Sequence, residues 1–284
     1  MLIEKAKKAS NADFMKLTIL VDNNTYIDKY YYGEPAVSYY IETEGKRVLF
    51  DTGYSDVILR NAEKMGINLK HLTHVVLSHG HNDHSNGLRF LLEEIGTENV
   101  KLITHPDCFL PKYDGAEYIG APYSSDEIQH RINYCPCKTT YNITENLYFL
   151  GEIPRVNDFE NQKPVGKVMA NGEWVDDYIK DDTALVYKSY NGIFIITGCS
   201  HSGICNIVEY AKTVCEENRV LGILGGFHLF EDDKQLGKTI EYLRSCNVKH
   251  IYPCHCVSLL ARAKLMEHLS VVETGVGLTV LIPD

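Results

Sequence analysis

The stretch SHGHNDHSNG, Ser78 to Gly87, sets the narrowest limits on how this chain folds. It follows the apolar run HVVLS (74–78). It precedes Leu88, Leu91, Leu92 and Ile95, which recur at helical spacing. A short buried strand therefore passes through a polar turn into a helix that starts near Ser85, a good N-cap residue. In α/β folds the residues beyond a buried strand's carboxyl end line a crevice. The turn holds His79, His81, Asp83 and His84, with Gly80 and Gly87 easing the backbone on either side. Such a turn aims neighbouring side chains at a common point, which a straight strand does not. Imidazole and carboxylate suit zinc, iron or manganese. His79 and His81 can serve one ion, and Asp83 and His84 a second beside it. The bland alternative is a solvated, histidine-rich loop. The pattern H-x-H-x-D-H at the end of a buried strand is too restrictive for it.

The rest of the chain has to supply the crevice. Strands are predicted at 16–22, 37–42, 46–51 and 100–104, with a helix over 55–66. From about 106 to 175 the pattern weakens, and six of the nine prolines fall there. This part reads as an irregular insertion of loops and short helices around one strand, LYFLGEI. Long irregular segments of this kind tend to be binding loops or lids. TALVYKSYNGIFIITG then reads as a hairpin turning at YNG. Ile204, Ile207, Val208, Ala211 and Val214 mark an amphipathic helix. A strand at VLGILGG, a helix at 234–245, a strand at KHIYPC, a helix near 259–269 and a last strand, LTVLI, complete the chain. Strands gather at both ends, and each group runs into strand–helix alternation. The expected fold is α/β, a four-layer αββα sandwich with two mixed β-sheets inside and helices outside. Residues 1–14 read as a polar N-terminal leader and 15–284 as one domain.

Four more histidines follow short apolar segments: His105, His201, His228 and His255. His201 (TGCSHSG) and His255 (YPCHC) sit at strand-to-helix turns and are the expected further metal ligands. His228 (GGFHL) is assigned to substrate contact or proton transfer. His105 fits a plain turn with Pro106. Asp51 ends RVLFD and precedes Thr-Gly. It reads either as an ordinary Asp turn or as an acid that holds the ligand loop or a bound water in place.

Composition removes several function classes. The net charge of −10 argues against a nucleic-acid backbone or an anionic membrane as main partner. No apolar run is long enough to cross a bilayer. Nine scattered cysteines without an export signal read as reduced thiols in the cytoplasm. CPC and CHC do not have the spacing of a zinc ribbon.

LFDTG, SHGHNDHSNG, TGCSH and YPCHC together resemble the metallo-β-lactamase superfamily over roughly residues 16–282. VDNN, TGCSHSG and GGFHL resemble more closely a branch named for dihydropterin–ribofuranosylaminobenzene phosphate synthesis. The resemblance implies the αββα fold with the metals at one edge of the sheets. It implies that His79, His81, Asp83 and His84 are ligands and that Asp51 fills the family's conserved acid. The chain departs from the common pattern at Cys199, where many relatives carry a bridging aspartate. Either Cys199 is a ligand, or His201 has taken over, or no protein group bridges; an inert buried thiol is the plain alternative. One ion rather than two is then open.

The activity implied first is metal-dependent hydrolysis of a small ester, lactone or phosphoester. Two divalent ions, zinc before iron or manganese, would activate a shared water. Asp83 would serve as ligand and His228 as proton donor. A second reading is a pterin-related transferase or synthase, with Lys163 or Lys167 meeting a phosphate. On that reading the tyrosines of Tyr30–Tyr40 could stack on a ring, although sheet packing is the preferred account of them. A di-iron redox protein and a metal-binding domain without turnover complete the set. The expected partner is a small, phosphorylated or pterin-like substrate.

Overall fold

The computed structural model describes residues 14–283, so the leader expected at 1–14 lies, except for Phe14, outside the described residues. The chain opens with β1 (Phe14–Val21), β2 (Ser38–Thr43), β3 (Lys46–Phe50), helix α1 (Val57–Lys64) and β4 (His74–Val76). The one-turn helix α2 (Asn82–Ser85), helix α3 (Leu88–Glu94) and β5 (Lys101–Thr104) follow. Next come β6 (Lys112–Asp114), β7 (Glu117–Tyr118), α4 (Ser125–Ile128), β8 (Asn133–Pro136), β9 (Tyr141–Asn142), β10 (Leu147–Phe149), β11 (Lys167–Ala170) and β12 (Glu173–Asp176). The last part holds β13 (Ala184–Ser189), β14 (Gly192–Thr197), α5 (Ile204–Cys215), β15 (Val220–Gly225), α6 (Lys234–Ser245), β16 (His250–Pro253), α7 (Leu259–His268) and β17 (Thr279–Pro283).

A seven-stranded sheet runs β17-β1-β2-β3-β4-β5-β8, and a six-stranded sheet runs β16-β15-β14-β13-β10-β9. In the first, β1 to β3 pair antiparallel, then β3, β4 and β5 pair parallel. The second repeats the scheme, with β10, β13 and β14 antiparallel and β14, β15 and β16 parallel. The likeness of the two halves is therefore one of topology.

Side-chain alternation explains the layering. Leu185 and Tyr187 of β13 and Phe194 and Ile196 of β14 face Leu17, Ile19, Tyr39 and Phe50 of the other sheet. Their neighbours Val186, Ile193 and Ile195 face outward onto Ile204, Ile207, Val208 and Ala211 of α5 and onto α6 and α7. Leu49 and Val75 on the opposite outer face pack against Ile58 and Ala62 of α1 and Leu88 and Leu91 of α3. Both faces of each strand are buried, so the strands read as continuous apolar runs. Each such side chain contributes about 1.5–3 kcal/mol on burial. The result is the αββα sandwich.

Two expectations need correction. The 106–175 segment holds seven short strands, not mainly loops and helices. β8, β9 and β10 extend the two main sheets, while β12-β11-β6-β7 form a third, four-stranded sheet. Strands of two to four residues are too short for periodicity to reveal. The helix expected near Ser85 begins instead at Asn82, with His81 at its N-cap, so Asp83 and His84 ride on a helical turn. Among the described residues no helix is long and apolar enough to cross a membrane.

Candidate metal centre

The expected site residues come from the carboxyl ends of five strands. Asp51 follows β3, and His79 to His84 follow β4. Cys199 and His201 follow β14, His228 follows β15 and His255 follows β16. Asp51, Ser200, His228 and His255 all adopt left-handed backbone angles, with φ between 51° and 59°. Each such non-glycine residue costs of order 1–3 kcal/mol, and such strain concentrates at functional sites. Here it turns each strand end so that its side chain faces the others.

The donors fall into two sets. Asp83, His84, Cys199 and His255 each present a ligand-type atom, all within 4.8 Å of one another. His79, Cys199 and His201 form a second set by the same measure. His81 joins the second set: its Nδ1 lies 3.0 Å from His79 Nε2, and its ring centroid lies 4.9 Å from that of His201. Two ring nitrogens at that spacing suit neighbouring donors of one ion with bonds of about 2.0–2.1 Å. His201 Nε2 and His255 Nε2 are buried without a hydrogen-bond partner. Buried polar atoms are normally satisfied, so these orphans mark where a cation fits.

Supporting contacts fix each ring. Asp51 is fully buried; its Oδ1 accepts the Ser78 N–H and its Oδ2 accepts the Ser78 hydroxyl, both at 2.7 Å. The same Oδ2 lies 2.7 Å from His84 Nδ1, which places the Nδ1 proton there and turns Nε2 toward Cys199 Sγ at 3.1 Å. The Ser78 hydroxyl, already donating to Asp51, accepts from His79 Nδ1 at 2.9 Å and frees His79 Nε2. At His255, Asp22 Oδ1 accepts the backbone N–H at 2.8 Å, and Asn23 Oδ1 takes the Nδ1 proton at 3.0 Å. That leaves His255 Nε2 3.2 Å from Asp83 Oδ2. The VDNN motif thus acts on a histidine more than 230 residues away. Ring partners of this kind set the tautomer of a metal-binding imidazole.

Burial pushes His79 and His201 well below the ordinary imidazole range and His81 down to about 4, so these rings are neutral donors. His84 goes the other way. Burial works against its charge, but Asp83 and Asp51 raise it to about 9. Burial likewise opposes the Asp83 carboxylate, and the charge on His84 more than reverses this, holding Asp83 well below its usual range. Asp51 and Asp83 thus favour positive charge at His84, which a divalent cation would also supply.

A second buried network steadies the ligand loop. Lys112 of β6 is 1% exposed and donates to Asp177 at 2.7 Å and to Asp181 at 2.9 Å. Burial opposes its charge, yet the two carboxylates hold it above the ordinary lysine range. The other Asp181 oxygen accepts the Gly80 N–H at 2.7 Å, between His79 and His81. Gly80 itself is squeezed: a Cβ there would lie 1.9 Å from the Cys108 carbonyl oxygen. On the His201 side, the Asn161 amide donates to the His201 carbonyl at 2.7 Å. Glu160 accepts the Cys205 and Asn206 N–H groups at the start of α5 at 2.9 and 3.0 Å.

A cavity of about 620 Å³ opens beside His201 and His228. Phe159, Lys163, Phe230 and Lys234 are among its lining residues. His228 lies 4.4 Å from the His201 ring and 4.8 Å from the Phe230 ring, centroid to centroid. Of the two lysines expected near a phosphate, Lys163 lines this cavity, whereas Lys167 pairs with Asp176 at 2.6 Å on the third sheet. His105 caps a turn by accepting the Asp107 N–H at 3.1 Å and stays outside both donor sets. Tyr39 and Tyr40 are buried in the sheet, while Tyr30 is exposed. Lys112, Asp181, Asn161, Glu160 and the Asp22–Asn23 pair escaped sequence reasoning. Only VDNN carried any signal.

Residues 31–134 match the sequence profile of the Metallo-beta-lactamase superfamily. The uncharacterized protein MJ0448 of Methanocaldococcus jannaschii is 35% identical over 263 residues, 92% of this chain and 98% of that protein. The 7,8-dihydropterin-6-methyl-4-(beta-D-ribofuranosyl)-aminobenzene-5'-phosphate synthase of the same organism is 29% identical over 271 residues, 90% of this chain and 92% of that one. The crystal structure of Tm1679, described as a metal-dependent hydrolase of the beta-lactamase superfamily, superposes with a TM-score of 0.82. It is 29% identical, with 95% of this chain and 100% of that chain covered.

Proposed function

The chain belongs to the metallo-β-lactamase superfamily, and on that premise we propose that it is a metal-dependent hydrolase of a small ester, lactone or phosphoester. The observation that carries the reading is the convergence of the His79, His81, His201 and His255 rings with Asp83 and His84, where His201 Nε2 and His255 Nε2 are buried without a hydrogen-bond partner. His79, His81 and His201 would hold one divalent ion and Asp83, His84 and His255 a second, with zinc the first expectation from this donor set. When bound, such ions supply Lewis acidity and a water of lowered pKa.

The chain's own residues do the rest. Asp51 keeps the Nδ1 proton on His84 and locks Ser78, so the quartet holds its aim. Lys112 and Asp181 keep the His79–His81 backbone in place. His228, at the wall shared by the donors and the cavity, meets the substrate and is the candidate to pass a proton to the leaving group. Phe159 and Phe230 give the cavity apolar surface, and Lys163 and Lys234 give it positive charge, which suits a small phosphorylated substrate. Nine unpaired thiols favour a reducing compartment, the cytoplasm.

The same cavity favours a second reading. Aromatic and cationic lining also suits a flat ring bearing a phosphate, and a relative covering most of this chain is named as a pterin-linked phosphate synthase. Incubation of the metal-loaded protein with phosphodiesters, lactones and pterin plus aminobenzene ribose phosphates separates the two readings. His81→Ala and Asp83→Ala should lose bound metal and turnover together while remaining folded. Full turnover in either variant after removal of metal refutes metal dependence.

A further inference from the structure

We propose that Cys135 and Cys137 form a dithiol site for a trivalent metalloid, arsenic(III) or antimony(III), at the sheet edge and apart from the metal centre. The two sulfurs lie 3.6 Å apart. Both side chains are half-buried, so a small ligand reaches them. Neither belongs to the two donor sets of the centre.

The strand sets the spacing. β8 closes one edge of the seven-stranded sheet, where Ile103 pairs with Cys135 and Thr104 with Pro136. Residues two apart on a strand point to the same face, and here that face is the inner one, shared with Tyr141. Pro136 locks the backbone between the two cysteines and holds Cys135 extended. A disulfide fits such a strand poorly. Cα atoms two residues apart along it are separated by about 6.6 Å, at the far end of the range a disulfide spans. The Cβ atoms, pointing the same way, lie farther apart than the ~3.8 Å it needs.

A single bridging atom fits well. With bonds of about 2.3 Å, the zinc–thiolate length, sulfurs 3.6 Å apart subtend roughly 100°. A linear two-coordinate ion such as copper(I) would need them about 4.6 Å apart at that bond length. A tetrahedral ion accepts the angle but requires further ligands. Among the described residues, three or more histidine, cysteine or carboxylate donors gather only at the candidate centre. A pyramidal trivalent metalloid accepts the angle and carries its own third substituent. Proton balance favours it too. Burial, with the Cys135 sulfur adding to it, pushes the Cys137 thiol up to about 12, and Lys101 opposes this. A divalent ion has to displace that proton unaided. An arsenic(III) oxide does not: its oxygen leaves as water with both thiol protons while two As–S bonds form, and no electrons are transferred.

Phenylarsine oxide is the probe, added at one equivalent to the zinc-treated chain, with intact mass as the readout. The wild type should gain one phenylarsenic group and lose two hydrogens. The adduct should survive excess glutathione, a monothiol, and be stripped by ethanedithiol. Cys135→Ser and Cys137→Ser should each weaken it about 100-fold or more, because no second thiol closes the ring. Thermal unfolding checks each variant, and Cys135→Ala replaces a serine variant that misfolds. Cys199 and Cys256, hydrogen-bonded in the centre, are the rival pair; Cys256→Ser should keep the adduct. Excess zinc should not protect the site. A wild type that forms no adduct overturns the proposal. So does an adduct that persists in both single variants, that vanishes with Cys256→Ser, or that glutathione removes. Protection by excess zinc also overturns it, because it marks a divalent-ion site instead.

Discussion

Lys112→Met puts the buried charge network to the test. Lys112 lies between Asp177 and Asp181 at 2.7 and 2.9 Å, and the three side chains are 1–4% exposed. At an effective dielectric near 20, each contact is worth at most about 6 kcal/mol, and the repulsion between the two acids offsets part of that. Methionine fills most of the lysine stem's volume but leaves two carboxylates without a counter-charge. Breaking a buried pair this way costs about 3–5 kcal/mol. For a chain of this size that is a drop in melting temperature of roughly 6–20 °C. The effect should extend to the centre, because Asp181 also holds the Gly80 N–H between two of the donors. Weaker metal binding should therefore accompany the lost stability. Urea unfolding of the chelated protein and metal titration of the loaded protein measure the two effects separately. The triple variant Lys112→Met/Asp177→Asn/Asp181→Asn removes the stranded charges and should regain most of the stability. A single variant within about 1 kcal/mol of the wild type, with unchanged metal affinity, would refute the account.

Asp51→Asn suits the left-handed backbone at that position but cannot accept from Ser78 and His84 together, so metal affinity or turnover should fall about 10–100-fold with the fold retained by circular dichroism. Gly80→Ala forces a methyl onto the Cys108 carbonyl and should cost about 1–3 kcal/mol in urea unfolding; a neutral effect would mean the loop is slack. His74, away from the centre, is pushed down to about 4 by burial, with Lys46 and Lys101 adding to the effect. Its unfolded form takes up a proton near 6.5 and its folded form only near 4, so stability present above pH 6.5 is lost as the pH falls through that window. Between pH 7 and 5 about 1–2 kcal/mol of this is expected to be lost. Comparing His74→Gln with the wild type between pH 7 and 5 cancels the other histidines, and the variant should gain relative stability towards pH 5.

The quartet was legible because its members sit in one turn after a recognisable strand, and His201 and His255 because strand ends point side chains into a crevice. The sandwich was legible because strands buried on both faces read as apolar runs. Other parts left no local trace. Lys112 meets its partners 65 and 69 residues away, and nothing in LPKYDG distinguishes a buried lysine from an exposed one. Glu160 caps a helix that starts more than 40 residues later. The third sheet is built from strands too short to show alternation. His105 matched the same strand-end rule as His201, yet its ring caps a turn: the rule finds the crevice but not the direction in which a ring turns.

The topological halves divide the donors unevenly. His79, His81, Asp83 and His84 come from the first half, and Cys199, His201 and His255 from the second. On the proposed ligand set neither half alone grips an ion fully, so the centre closes only once the two sheets have docked during folding. An ion that binds only the closed form then stabilises that docking by mass action, and chelation would loosen the seam between the sheets before it touched either sheet's own core.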